Sequence, residues 1–346
     1  MRENKRAKAE ALHKAVAIHG SVNKAWKAVD AARYPPFETG LSWTMARQHY
    51  DAAINALKLG DVRTDARSLA HSPAMKEEEP VKSEVILEIP AIENGVVIAF
   101  GDCHWTTLKQ SRSLAHEALL TLTRNMKPSF LFCVGDALNM TQPSRHPPMM
   151  WSDNRQPKVV DEVAAGQTYL REIREAAGNP ECFWIRGNHD DRFDKYLAAH
   201  AAAFEGMGGF ALTDQFPDWK MTWRLDVGEQ FSVVHDWHKG IHAAYNNAMK
   251  SGRTIVSGHT HALQVRPLNK WGDRVWGIEC GMLADPNWSV FNYQLAREGQ
   301  GQPGFAVLTF RDGVMATPEV VEVVNGAAWF RGEPVAGRVR VKANRG

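Results

Sequence analysis

Paired cysteines are absent from this 346-residue chain: its four, Cys103, Cys133, Cys182 and Cys280, are widely spaced singles with no C-x-x-C pair. That argues against a disulfide framework, and three of the four lie in or beside runs that read as buried strands, so reduced thiols in a cytoplasmic protein are expected. Long apolar runs are missing too. None approaches a membrane span, and the charged N-terminus lacks the apolar core of a signal peptide, so no membrane partner is expected. Internal repeats are absent, and the one low-complexity stretch is short. There is little net charge, +2 in all, but it is unevenly placed. Residues 1–60 hold ten Lys or Arg against five Asp or Glu, a net of +5, which leaves −3 on the remainder. A basic module on a mildly acidic body points to the module as the part that meets a polyanion. Hydrophobic content of 44% and charged content of 23% are ordinary for a soluble globular protein, and the length suits one large domain with an appendage or two ordinary domains.

What is present is chemistry at strand ends. The run Cys182 to Ile185 reads as a short buried strand, and it breaks into Gly187-Asn188-His189-Asp190. Val97 to Phe100 runs into Gly101-Asp102-Cys103-His104, Phe130 to Val134 into Gly135-Asp136, and Thr254 to Val256 into Gly258-His259-Thr260-His261. His235 closes the run Phe231 to Val234. Five strand ends thus carry carboxylates, imidazoles and an amide, donors that suit mid-series divalent cations better than calcium, which prefers an all-oxygen shell. His238 lies three residues beyond His235 and would replace it if that strand ended later; His235 is favoured because it closes the apolar run directly.

Around these ends, strand (96–100), helix (108–126), strand (130–134), a long loop, helix (159–177), strand (182–185) and helix (192–204) alternate, which predicts parallel strands joined by crossover helices. Beyond Phe210 the strands 223–227, 230–235, 254–257, 264–267, 274–279 and 305–310 predict an antiparallel or mixed half. The turn Trp271-Gly272-Asp273 joins one pair of them.

The ordered set G-D-x-H, G-D, G-N-H-D, H, G-H-x-H resembles the calcineurin-like metallophosphoesterases over residues from about 95 to 265. The resemblance implies an α/β fold, two mixed β-sheets packed between helices, with two divalent metal ions at the rim. It implies that Asp102, His104 and His261 hold one ion, that Asp136 bridges, and that Asn188, His235 and His259 complete the second. Manganese is the expected metal; iron, zinc and nickel also suit the donors. His189 receives the role of general acid, protonating the leaving oxygen or steadying its charge. Protein phosphatases of this superfamily follow the second motif with Asp and Arg, whereas Ala137-Leu138-Asn139 here offers an amide in the position that supports the catalytic imidazole and no Arg. Asn139 is expected to accept a hydrogen bond from His189. The departure argues against a phosphoprotein phosphatase and leaves diesterases, nucleases and small-molecule phosphatases. Trp105 and Trp237 flank ligand positions, with the core the better reading among twelve tryptophans. Arg145 and His146, in the Pro-rich loop, are equally an exposed loop or a phosphate contact.

At the N-terminus, Leu12, Ala15, Val16 and His19 recur at helical spacing and Gly20 stops them; Ser21 caps a second helix and Ser42 a third. Helix, Gly-Ser turn and helix, then a helix presenting Thr44, Arg47 and Gln48, resemble helix-turn-helix DNA-binding domains, with Lys24 and Lys27 available to phosphates. The other reading is a three-helix interaction module with a solvated polar face. The expected organisation is a helix-turn-helix-like module at 1–60, a linker at 61–83, the phosphoesterase domain at 84–335 and a basic tail at 336–346. Small chains of this make-up resemble phage or prophage proteins. The expected function is a dimetal phosphodiesterase or nuclease acting on DNA. The alternatives are a phosphomonoesterase or nucleotide phosphodiesterase with a regulatory module, and a non-catalytic DNA-binding regulator.

Overall fold

The computed structural model describes residues 14, 16, 17, 85–144, 157–271, 273–294 and 301–339. The chain divides into two compact units, Met1–Pro80 and Val81–Gly346. Lys24, Lys27, Thr44, Arg47 and Gln48 of the expected DNA-binding module lie outside the described residues, as do the 61–83 linker, Arg145 and His146.

In the second unit, β-branched and aromatic runs make the strands. In chain order these are β1 (Ile86–Ile89), β2 (Gly95–Phe100), β3 (Phe130–Cys133), β4 (Glu181–Ile185), β5 (Lys220–Thr222), β6 (Arg224–Val227), β7 (Phe231–Val234), β8 (Thr254–Ser257), β9 (Leu263–Lys270), β10 (Asp273–Cys280), β11 (Gly304–Arg311), β12 (Val314–Met315), β13 (Glu319–Val324), β14 (Ala327–Phe330) and β15 (Glu333–Gly337). The helices are α1 (Leu114–Met126), α2 (Val159–Ala176), α3 (Asp191–His200), α4 (Leu212–Gln215) and α5 (Ala243–Ser251). One sheet runs β1-β6-β7-β8-β10-β9; the larger runs β15-β14-β13-β11-β2-β3-β4-β5, with β12 on β11.

Alternate residues of the larger sheet face opposite ways. Val97, Ala99, Phe132 and Phe183 pack with Leu225, Phe231, Val256 and Ile278 of the smaller sheet, closing the space between the two. Their neighbours Ile98, Phe100, Leu131 and Trp184 turn outward to Leu119 of α1 and Ile173 of α2. Two mixed sheets between helices are therefore present as expected. The neighbours β2, β3 and β4 are parallel, as are β7 and β8, so the loops that follow them open at common ends of the two sheets.

The structure departs from the sequence reading at several boundaries. The first helix begins at Leu114 rather than Leu108, because Ser113 caps it: its backbone is extended and its Oγ accepts from His116 N–H. The helix expected at 192–204 breaks after His200 into a 3₁₀ turn, Ala202–Phe204. The last strand passes the expected domain edge at 335 and ends at Gly337. Helices α4 and α5 and strands β1, β5 and β12 to β15 were not anticipated. For part of the C-terminal set a signal was available: Asp312-Gly313, Asn325-Gly326 and Arg331-Gly332 all have positive φ at both residues and join two-residue hairpins.

Ser113 also donates its hydroxyl proton to the carbonyl of Leu283, tying α1 to the loop after β10. Ser113→Ala removes the cap and leaves that buried carbonyl without its donor, so a loss of about 1–3 kcal/mol is expected in urea unfolding. An unchanged midpoint and slope would show that the cap contributes nothing.

Candidate metal centre

Gly135, Gly187 and Gly258 of the motifs stand where a side chain would collide with the centre. A Cβ on Gly187 would overlap Asp136 Oδ1, and one on Gly135, whose φ is +92°, would overlap His235 Nδ1. Beyond the glycines the backbone is strained. Asp102 (φ 48°), His104 (46°), Asp136 (49°), His259 (71°) and His261 (58°) are all left-handed, a conformation uncommon in residues other than glycine. Main-chain bonds hold these turns: Asp102 N donates to Gly135 O (2.9 Å), His104 N to Asp136 O (3.0 Å) and Gly258 N to His235 O (3.1 Å).

The two carboxylates are built alike. Asp102 Oδ2 accepts the His259 amide at 2.9 Å, while Oδ1, buried and without a hydrogen-bond partner, lies 3.5 Å from His261 Nε2 and 4.0 Å from His104 Nε2. Asp136 Oδ1 accepts the His189 amide at 2.8 Å, while Oδ2 lies 3.3 Å from His235 Nε2 and 3.9 Å from His189 Nε2. Candidate ligand atoms fall into three groups, each within 4.8 Å: Asp102, His104 and His261; His104, Asp136 and His189; Asp136, His235 and His259. Asn188 joins the last through its Oδ1, 2.8 Å from His259 Nδ1. The seven expected ligand positions are thus brought together, with Asp136 shared by two groups. His238 is not in these groups; its amide donates to Asn247 Oδ1 and its ring lies against Trp237.

The ring nitrogens are sorted by their neighbours. His235 Nδ1 meets Val134 O at 2.6 Å and His104 Nδ1 meets Asn139 Oδ1 at 3.2 Å, so in each ring Nε2 is the atom that faces the carboxylates. Burial, reinforced by the charges of His189 and His261, holds His104 well below its ordinary pKa. Burial likewise lowers His259, with His235 and Lys239 adding to it. At His235 burial opposes the charged form, but Asp136 overrides it through charge and hydrogen bonding and lifts the ring to about 10. Burial opposes charge at His261 as well, and there Asp102 outweighs it. The carboxylates thus draw positive charge strongly.

Asn139 does not do what the sequence suggested. Its side chain serves His104 and donates to Thr141 Oγ1, and the partner of His189 Nδ1 is the main-chain carbonyl of Asn139, at 2.8 Å. The left-handed Met140 that follows (φ 46°) turns the chain there. Three other groups escaped the sequence reading. Arg192 places Nη2 3.1 Å from His189 Nε2 and donates through Nη1 to Asn139 O at 3.0 Å. Buried Glu162 accepts the amides of Met140 and Thr141. Asp190, named only as part of its motif, accepts from Asp136 N, Leu138 N, Gly187 N and Trp184 Nε1. Only Arg192 and Asp190 had a signal, their closeness in sequence to His189. Of the flanking tryptophans, Trp105 is core at 1% exposure, against His116 and Tyr169, whereas Trp237 is 47% exposed. All four cysteines are buried free thiols.

Residues 95–263 match the profile of the calcineurin-like phosphoesterases. The chain is 27% identical over 232 residues to the Gene 54 protein of Mycobacterium phage L5, a match covering 61% of this chain and 88% of that protein. The Gene 54 protein of Mycobacterium phage D29 is 26% identical over 233 residues, at the same coverage. Among solved structures, similarity extends to vacuolar protein sorting 29 from Cryptosporidium parvum, with 14% identity, 68% and 95% of the two chains covered and a TM-score of 0.38. Nuclease MPE from Pseudomonas putida gives 13% identity, 64% and 86% coverage and a TM-score of 0.28. Among the described residues, no helix is long and apolar enough to cross a membrane.

Burial lifts the Glu162 carboxyl to about 7, against the pull of the Met140 and Thr141 amides. Its ordinary value is 4.5, so the folded state holds this proton more tightly than the unfolded chain does. The stability it contributes is complete below about pH 4.5 and is lost as pH rises to about 7. Glu162→Gln should therefore flatten the fall in unfolding free energy across that window, measured by urea titration at several pH values. An identical slope in wild type and variant would refute the shift.

Proposed function

We propose, given that residues 95–263 belong to the calcineurin-like phosphoesterases, a metal-dependent hydrolase class, that the chain is a two-metal phosphodiesterase acting on nucleic acid. The observation that carries this reading is the shared, buried Asp136 between two histidine groups, with the buried Asp102 Oδ1 beside it lacking a hydrogen-bond donor. An orphaned acceptor of that kind is costly unless a cation answers it. Asp102, His104 and His261 would hold one ion, Asn188, His235 and His259 the other, and Asp136 both. Manganese fits this oxygen and imidazole set, as do iron, zinc and nickel. When bound, such cations neutralise phosphate charge and act as Lewis acids.

The chain's own residues supply the rest. Asn139, through its side chain, orients His104. The Asn139 carbonyl, by accepting at Nδ1, aims Nε2 of His189 toward Asp136 and the space where a leaving oxygen would sit, the position a general acid needs. With Nδ1–H donated to that carbonyl, a neutral ring carries no proton at Nε2, so His189 serves as the acid only after Nε2 takes one up, a charged form that burial disfavours and Asp136 favours. The main-chain support adds no full negative charge to that imidazolium, which argues against a phosphoprotein phosphatase. The basic 1–60 segment, with Lys24 and Lys27 on phosphates and Thr44, Arg47 and Gln48 toward bases, would recruit DNA.

Chelation should abolish hydrolysis of bis-p-nitrophenyl phosphate and Mn²⁺ restore it, with Asp136→Asn losing metal from both sites by elemental analysis. His189→Ala should keep both metals while slowing poor leaving groups by roughly 10²–10⁴. In the full chain, Lys24→Ala or Lys27→Ala should each lower the logarithmic salt slope of duplex binding by about one unit. Full activity in excess chelator would end the metal reading. Activity on the monoester or on nucleotides alone, with no salt-dependent DNA affinity, would favour the small-substrate alternative.

A further inference from the structure

The second motif of this chain lacks the arginine that grips phosphate in the protein phosphatases. A guanidinium nevertheless reaches His189 from α3. Arg192 Nη2 stands 3.1 Å from His189 Nε2, and Nη1 is anchored on Asn139 O at 3.0 Å, with Met140 O at 3.5 Å. We propose that Arg192 is the phosphate-gripping cation of this centre: it braces the His189 ring in the free protein and takes an oxygen of the phosphate when a diester is seated.

The geometry argues for it in three steps. A guanidinium carries donors only, so the Nη2 contact directs an N–H at the imidazole atom that faces Asp136. Two nitrogens 3.1 Å apart share their hydrogen-bond reach, so an oxygen close enough to meet His189 Nε2 can also be met by Arg192 Nη2. The anchor is rigid as well. The carbonyl that receives Nη1 belongs to a loop whose next two amides are held by the buried carboxylate of Glu162, and the same carbonyl receives His189 Nδ1. A donor fixed before substrate arrives stabilises developing negative charge without reorganising.

This inference rests on reading the centre as a phosphoesterase, and the experiment separates the two. With manganese-loaded full-length protein, inorganic phosphate binding is measured by calorimetry and turnover with bis-p-nitrophenyl phosphate, for wild type, Arg192→Ala and Arg192→Lys. Arg192→Ala should weaken phosphate binding about tenfold or more and raise KM, with metal content and melting temperature unchanged. Arg192→Lys should recover part of the affinity, and added methylguanidinium should restore part of the alanine variant's turnover, which a purely structural role would not allow. Phosphate affinity within twofold of wild type in Arg192→Ala, while wild type cleaves the diester, overturns the role of Arg192 alone. Failure of manganese-loaded wild type to bind phosphate or cleave the diester overturns the phosphoesterase reading and this inference with it.

Discussion

The carboxylate of Asp190 is the interaction on which the centre depends. Buried completely, it gathers two amides of the β3 loop, Asp136 N at 2.8 Å and Leu138 N at 3.2 Å, and one of the β4 loop, Gly187 N at 2.9 Å, with Trp184 Nε1 at 3.0 Å. Burial, and then the charge of Asp136, push its pKa up to about 6. The four donors offset part of that penalty, because hydrogen bonds to an ionised acceptor are roughly twice as strong as neutral ones. The result is that Asp136 and the Asn188-His189 pair are placed by one shared acceptor. The positions of the two loops are coupled, and neither can shift without stranding a buried donor.

Strain is the second constraint. Five of the seven expected ligand positions have φ between 46° and 71°. Each such residue costs on the order of 1–3 kcal/mol, so the turns would relax if the surroundings did not over-determine them. The surroundings do so through main-chain bonds between loops: Asp102 to Gly135, His104 to Asp136, Leu283 to Gly101, Gly258 to His235. Each loop braces another, and the two sheets, packed through Phe132, Phe183 and Phe231, hold the strand ends from which the loops start. Rigidity in the core becomes accuracy at the rim.

The loop Asn139–Thr141 supports two rings of the centre at once. The Asn139 side chain turns to His104 and the carbonyl takes His189, while Glu162 from α2 secures the next two amides. Buried Glu279 does similar work on the other side, accepting from Thr260 Oγ1 and Ala244 N and so holding the His259 to His261 turn against the smaller sheet. Neither glutamate stands among the candidate ligand groups, yet each fixes a loop that does.

What the amino-acid order determined by itself was local: apolar runs that can only be buried strands, glycines where those runs stop, and carboxylates, imidazoles and an amide immediately beyond. Periodicity and residue type make such features visible because they are properties of neighbours in the chain. The alternation of strands and helices indicated parallel strands with crossover helices, while the pair of mixed sheets was implied by the family resemblance. Short elements such as β5 and α4 were not legible, because three or four residues carry no period. The contacts of Asn139, Arg192, Glu162 and Asp190 were decided only in three dimensions. A side chain's partner depends on which loop the packing of two sheets brings within about 3 Å of it. The donor chemistry was written along the chain; which groups support those donors was settled where its distant parts meet.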